Sequence, residues 1–197
     1  MKTNLLSIQF AFVMVVCCSV RAQGFVYDQQ ISNLNTPGGY VDYQSGQSIA
    51  QSFIPTLSSV DFATFFLGDP HPSGVGATVI VNLWSDSPTS GTLLGSTVPI
   101  FIPVEFNNAI NFFFSTPVTV TPGKTYYLQP AIQSGDTIGA GLVPGPLYLN
   151  GTLFLNGAAS PGSNLWFREG VIVPEPSSTC MILTGVAGLY LYRRKSQ

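Results

Sequence analysis

Short apolar runs separated by turn signals fill the middle of the chain. The runs occupy residues 48–54, 60–67, 77–84, 93–102, 109–114, 118–120, 125–132, 147–149, 152–155 and 165–171. Between them, glycine pairs with proline, serine or asparagine, as at Ser90-Gly91 and Pro144-Gly145, and such pairs mark turns. No run keeps a period of 3.6 residues, so the pattern predicts many short strands and no helix in this part of the chain.

Alternation within the runs predicts which side chains share a face, because successive residues of a strand point to opposite sides of the sheet. In the run 77–84, Val79, Val81 and Leu83 share one face, and Ile80, Asn82 and Trp84 share the other. In the last run, Leu165, Phe167 and Glu169 oppose Asn164, Trp166 and Arg168. Each of these runs therefore has one face that places a tryptophan beside polar side chains.

The turn residues complete the predicted architecture. Asn150-Gly151 lies between two apolar runs and predicts a two-residue hairpin, because a type I′ turn needs positive φ at both central positions. Proline has no backbone N–H to donate a hydrogen bond to a neighbouring strand. We therefore expect strand ends, bulges or edge strands at the prolines 55, 99, 103, 117 and 130. The fold class that follows is all-β, an antiparallel two-sheet sandwich of the jelly-roll kind.

The two ends of the chain read as processing signals. Met1 and Lys2 form a positive start, residues 5–18 are almost wholly apolar, and a cut is expected after Ala22, as in a secretory signal peptide. A buried N-terminal helix is the alternative, although no polar face interrupts the run. We predict a signal peptide at 1–22, a β-sandwich domain at 23–173 and a sorting tail at 174–197.

The predicted tail has three parts in a fixed order. They are the motif Pro174, Glu175 and Pro176, the apolar segment 177–192, and the basic cluster Arg193, Arg194 and Lys195. Two prolines cannot sit inside a helix, so the motif is extended. At about 1.5 Å per residue the apolar segment spans about 24 Å, and snorkelling of the basic side chains would bring it to the roughly 30 Å of a bilayer core. Basic clusters stay cytoplasmic, which predicts a membrane helix with the domain outside.

This arrangement resembles the PEP-CTERM sorting domain, the substrate signal of exosortases in Gram-negative bacteria. In that family a membrane-embedded cysteine transpeptidase recognises and cuts the Pro-Glu-Pro motif, here Pro174, Glu175 and Pro176, while the apolar helix and basic end hold the chain. The resemblance implies an exosortase-type partner and a membrane-tethered precursor that later reaches the cell surface or the biofilm and exopolysaccharide matrix. An ordinary C-terminal membrane anchor is the alternative.

Four segments of the domain, 51–53, 79–84, 118–128 and 164–168, resemble exported sandwich modules that often precede such tails. This second resemblance implies a galactose-binding-like or related jelly roll. It supplies no catalytic residues.

Charge and cysteine usage narrow the possible functions of the domain. At 197 residues the chain holds one domain and its processing segments. Between the two ends lie eight acidic side chains and only two basic ones, Lys124 and Arg168. A surface of that charge repels a phosphate backbone, which excludes nucleic acid as a partner. All three cysteines, Cys17, Cys18 and Cys180, fall in the terminal segments, so the predicted domain has no disulfide and no thiol chemistry.

The sequence offers few catalytic or metal-binding candidates. His71, the only histidine, stands between two prolines with no second imidazole or cysteine nearby, so a zinc site or a Ser-His-Asp triad is not supported. Glycoside hydrolysis needs two carboxyl groups across a cleft, and the acids here are scattered singly. Asp69, Asp86 and Asp136 lie in loops, and a structural Ca²⁺ bound by them is the alternative to a metal-free domain, although they lack the spacing of a calcium loop. We expect no enzyme activity and no cofactor.

Carbohydrate is the ligand that the aromatic positions favour most. Trp84 shares a face with Asn82, Trp166 shares one with Asn164 and Arg168, and Tyr127 shares one with Thr125 and Gln129. An exposed ring beside hydrogen-bonding groups suits the apolar face and the hydroxyls of a sugar. Burial of these rings in the core is the alternative.

Three functions therefore remain open. We predict a non-catalytic exported protein of the cell surface or extracellular matrix. A carbohydrate-binding module using Trp84, Trp166, Tyr127, Asn82 and Arg168 is the first alternative, and a secreted glycoside hydrolase is the second.

Overall fold

The computed structural model describes residues 23–32, 37–69, 73–145 and 148–174. Val26–Val171 forms one compact unit. A second unit joins the two ends of the chain, Met1–Phe25 and Ile172–Gln197, and only 23–25 and 172–174 of it are described. The predicted signal peptide, His71, and the tail beyond Pro174 lie outside the described residues.

The described chain is built of strands. Their bounds are β1 Gln23–Ile31, β2 Gly39–Tyr43, β3 Ile49–Phe53, β4 Ser59–Gly68, β5 Ala77–Ser85, β6 Thr92–Ser96, β7 Ile100–Ile102, β8 Asn107–Thr119, β9 Tyr126–Gly135, β10 Ile138–Pro144, β11 Leu153–Leu155, β12 Ala158–Ser160, β13 Ser163–Leu165 and β14 Phe167–Pro174. Within the described ranges, no helix is long and apolar enough to cross a membrane.

The strands form two sheets of seven strands each. Sheet 1 has the order β1-β14-β4-β10-β13, with β2 paired to β10 and β8 paired to β4. Sheet 2 has the order β12-β11-β3-β9-β5-β6, with β7 paired to β5. The prediction of an all-β fold with two antiparallel sheets is confirmed, and a sandwich agrees with it.

The core lies between the inner faces of the two sheets. In β5, Val79, Val81 and Leu83 are fully buried, while Asn82 and Trp84 are partly exposed, which confirms the predicted alternation of this strand. Opposite them, sheet 1 contributes buried apolar side chains from β4, β8 and β14, namely Ala63, Phe65, Leu67, Phe112, Phe114 and Phe167. Because alternate residues fill the core, the remaining residues of β5 form an outer face.

Side chains and backbone join the two sheets at two places. Beside the edge strand β6, Thr97 is bonded to Val81 of sheet 2 through both its backbone N–H and its hydroxyl, and it forms a bridge to Phe114 of sheet 1. Between β3 of sheet 2 and β13 of sheet 1, the buried Gln51 accepts from the Leu165 backbone N–H at 2.8 Å and donates to Asn164 Oδ1 at 3.0 Å. These contacts hold sheet 2 in a fixed position against sheet 1.

The predicted hairpin at Asn150-Gly151 is wrong, and an identical dipeptide six positions on makes one instead. β11 and β12 pair with Leu155 opposite Ala158, so Asn156 and Gly157 form the two-residue loop, with φ of 50° and 82°. Positive φ at both positions is what a type I′ turn requires. Gly151 has another role, because a Cβ there would lie 1.9 Å from the Ser52 carbonyl oxygen.

Candidate functional site

The outer face of sheet 2 brings together three of the predicted ligand-binding residues. Trp84 of β5 and Tyr127 of β9 are direct cross-strand partners, and Asn82 is the next outward residue of β5. All three side chains are partly exposed. Their position follows from the alternation of β5 and β9, whose inward residues fill the core.

A third ring completes this aromatic group. Phe154 of β11 contacts Tyr127 edge to face, with ring centroids 5.2 Å apart and an interplanar angle of 85°. Edge-to-face pairs of this kind are favourable and fix the orientation of both rings. The rings of Trp84, Tyr127 and Phe154 therefore come from three different strands of one sheet.

Gln129 connects the polar groups between these rings. Its Oε1 accepts from the indole N–H of Trp84 at 2.7 Å and from Asn82 Nδ2 at 3.3 Å, and its Nε2 donates to Ser48 Oγ at 2.9 Å. Ser96 of β6 extends the network, since its hydroxyl donates to Asn82 Oδ1 at 2.7 Å. The amides of Asn82 and Gln129 are thus held in fixed orientations on a partly exposed surface.

We call Asn82, Trp84, Tyr127, Gln129 and Phe154 the amide–aromatic patch. None of its side chains carries a charge. At the end of β5 beyond it, Lys124 and Asp86 form an ion pair at 3.2 Å. A hydrogen bond from the Ser85 hydroxyl, and then Lys124, hold the pKa of Asp86 below its usual value. These two charges offset each other, so the ion pair adds no net charge beside the patch.

Trp166 and Arg168 lie away from the patch, on sheet 1. Trp166 is only 3% exposed and packs edge to face on Phe66, with ring centroids 5.8 Å apart. The Arg168 guanidinium covers it at 4.8 Å from the ring centroid and also lies over Tyr27 at 5.2 Å. A ring this buried cannot stack on a sugar, so Trp166 does not belong to an exposed platform.

The three loop aspartates do not converge on one site. Asp86 follows β5 and Asp136 follows β9, and these neighbouring strands are antiparallel, so the two carboxyl groups lie at opposite ends of sheet 2. Asp136 accepts from the Val75 backbone N–H. Across the described ranges, no group of three or more histidine, cysteine or acidic side chains is placed to hold a metal ion.

The fold does bring together one acid pair that sequence reasoning did not identify. Glu169 of β14 is fully buried beside Ala63, and burial, with a further contribution from Asp28, raises its pKa to about 9. Asp28 accepts from the backbone N–H groups of Thr56 and Leu57 at 2.7 and 2.9 Å. Because Glu169 has no exposed surface, the pair does not form an open catalytic cleft.

Phe154, Ser48 and Ser96 are the members of this surface that the sequence did not point to. Each meets the patch only through strand pairing or a turn, which alternation within one run cannot reveal. Alternation did place Gln129 on the same face as Tyr127, two residues before it. It did not show that Gln129 would bond to Trp84 and Asn82.

Comparison with known proteins gives little further information. No family model matches the chain, and no curated protein matches it. Among solved structures, it is similar to an arabinose-bound α-L-arabinofuranosidase, MgGH51, at 16% identity and a TM-score of 0.36, over 68% of this chain and 25% of that one. The chain thus spans about a quarter of that protein, and a similarity this low carries no argument about function.

Proposed function

We propose that the β-sandwich is a non-catalytic carbohydrate-binding domain of an exported surface protein. The amide–aromatic patch is the observation that carries the proposal. It combines partly exposed rings, which suit the C–H faces of a sugar, with amide groups already oriented by a hydrogen-bond network. Pre-orientation lowers the entropy that binding must offset.

The arrangement of the strands supports a jelly-roll-like, galactose-binding-like sandwich as part of this proposal. Consecutive strands change sheet repeatedly: β3, β5 and β9 belong to sheet 2, while β4, β8 and β10 belong to sheet 1. Such crossing connections are typical of double-sheet jelly rolls.

Removing the Trp84 ring tests the binding proposal. We expect Trp84→Ala to weaken binding to a neutral polysaccharide about tenfold or more, which corresponds to about 1.4 kcal/mol, because the ring and its bond to Gln129 are both lost. The measurement is affinity electrophoresis of the full chain, in mild nonionic detergent, against soluble glucan, xylan, arabinan and mannan.

Phe101→Ala is the matched control. Phe101 is an aromatic residue 59% exposed on the same outer face. It lies opposite Thr78, at the end of β5 far from Asn82 and Trp84. We expect its removal to leave binding unchanged. Equal losses in both variants, or no retardation of the wild-type chain by any of these polysaccharides, would contradict the proposal.

The proposed route of this domain to the surface rests on the sequence of the tail. β14 ends at Pro174, the first residue of the motif, and the remainder lies outside the described residues. We propose cleavage at Pro174-Glu175-Pro176 by an exosortase-type transpeptidase, with Arg193, Arg194 and Lys195 as the cytoplasmic stop.

Mass spectrometry of the mature protein from its host tests this route. We expect a chain that begins near Gln23 and lacks the residues beyond the motif, and we expect Glu175→Ala with both flanking prolines changed to alanine to stay membrane-bound. A mature species that still ends at Gln197 in cells with an active exosortase would leave an ordinary membrane anchor as the better interpretation.

A further inference from the structure

A cleft of about 390 Å³ opens between β6, an edge strand of sheet 2, and the second half of β8 in sheet 1. The residues that line it include Leu94, Ser96, Ser115, Thr116, Pro117 and Thr119. Small-molecule sites usually occupy about 300–1,000 Å³, so the cleft is large enough for a sugar residue.

An irregularity of β8 creates this cleft. Residues 114–117 of β8 stand opposite Asp61 alone, because the register between β4 and β8 shifts at this point. β8 leaves β4 there, and Phe114 forms an isolated bridge with Thr97, the residue that directly follows β6. Pro117 lies in the stretch that has left the ladder, where its missing N–H costs no hydrogen bond. The cleft is therefore built into the fold at the open edge of the sandwich.

The lining of the cleft determines the class of ligand. Ser115, Thr116 and Thr119 supply hydroxyl groups, each of which can donate and accept, while Leu94 and Pro117 supply apolar surface. No lining residue is charged, so a charged ligand would meet no counter-charge from the walls. Hydroxyl and apolar groups together match a neutral sugar ring.

The cleft is continuous with the amide–aromatic patch through Ser96. This residue lines the cleft, and its hydroxyl donates at 2.7 Å to Asn82 Oδ1 in the patch. In addition, among the described strands β6 is paired to β5 alone, and an edge strand presents backbone N–H and C=O groups on its other side. A bound chain that leaves the patch at Asn82 meets further hydrogen-bonding groups in the cleft.

We propose that the cleft is a second sugar subsite, so that a linear neutral polysaccharide lies across the patch and continues past Ser96 between β6 and β8. This inference rests on the proposed function of the patch. It adds that affinity rises with the length of the oligosaccharide, because short ligands occupy the patch alone.

Filling the cleft tests the second subsite. The probes are cello-, xylo- and manno-oligosaccharides of two and six residues, titrated calorimetrically into the full chain in mild detergent. In at least one of the three series, we expect the wild-type chain to bind the hexasaccharide about tenfold more tightly than the disaccharide. Thr116→Phe should abolish that difference and leave disaccharide binding unchanged, whereas Thr121→Phe, the same change at an exposed turn outside the cleft, should preserve it.

The outcomes separate the cleft from the patch. If Thr116→Phe keeps the preference for the hexasaccharide, or the wild-type chain binds both lengths equally, the second subsite is wrong. The patch proposal then stands on its own, provided that Trp84→Ala still weakens binding of the disaccharide. Absence of wild-type binding to every probe would overturn both proposals.

Discussion

Glu169→Gln is expected to stabilise the protein at neutral and alkaline pH. It should also remove the part of the pH dependence of the free energy of unfolding that Glu169 causes between about pH 4.5 and 9. Burial, reinforced by the negative charge of Asp28, raises the pKa of Glu169 from its usual 4.5 to about 9. The folded chain therefore keeps a proton that the unfolded chain releases above pH 4.5.

The direction of the effect follows from proton linkage. Below pH 4.5 the carboxyl group is protonated in both states, so its contribution to stability is fully present. As pH rises from 4.5 to 9 the unfolded state is increasingly favoured, by about 1.4 kcal/mol per pH unit, and the loss totals several kcal/mol. Above pH 9 the group is ionised in both states and the dependence ends.

Urea unfolding of the full chain in dilute nonionic detergent, followed by tryptophan fluorescence from pH 4 to 9.5, measures this effect. The wild-type chain and Glu169→Gln should coincide near pH 4 and separate as pH rises, with the variant more stable. Glu105→Gln, the same change at an exposed carboxyl group, should follow the wild-type curve. Parallel curves for the wild-type chain and Glu169→Gln would show that Glu169 does not carry a raised pKa.

The spacing of turn signals was enough to predict an all-β fold, and local alternation was enough to predict which side chains of β5 face the core. It depends only on neighbours along one strand, and the burial of Val79, Val81 and Leu83 follows it. It also placed Glu169 on the same side as Leu165 and Phe167, and all three are fully buried. Alternation thus gave the side of the strand correctly, but the burial of Glu169 was not predicted, because single acidic residues in a sheet are usually solvated.

β10 shows why other strands could not be predicted. Its sequence, Ile138–Pro144, contains two glycines and lacks the β-branched run by which strands are recognised. Gly141 is required by packing from outside the strand, since a Cβ there would lie 2.8 Å from the Pro37 ring and 3.1 Å from Phe66. β1 and β2 were missed as well; both belong to sheet 1, where they pair with β14 and β10.

The same limit applies to the candidate site. Alternation places Trp84 and Trp166 on the polar sides of their runs, but it does not tell whether another side chain covers that side. Arg168 covers Trp166, whereas the residues around Trp84 leave it partly exposed. The difference arises from cross-strand neighbours, which become known only when the register is known.

Trp166→Ala is accordingly expected to destabilise the protein far more than Trp84→Ala. The variant empties a buried site between Phe66 and Arg168, and truncation of a buried tryptophan costs about 3–5 kcal/mol. Trp84 is partly exposed and loses one side-chain hydrogen bond, to Gln129, which is worth about 1 kcal/mol.

Urea unfolding, monitored by circular dichroism, compares the free energies of unfolding of the two variants directly. Trp166→Phe is the control, because it keeps an aromatic ring at the buried position. We expect the order of stability to be wild type, Trp84→Ala, Trp166→Phe and Trp166→Ala. Binding should follow a different order, because only Trp84→Ala removes a ring of the patch. If Trp84→Ala also lost several kcal/mol, its ring would act as part of the core, and any loss of polysaccharide binding would reflect unfolding and not the removal of a contact.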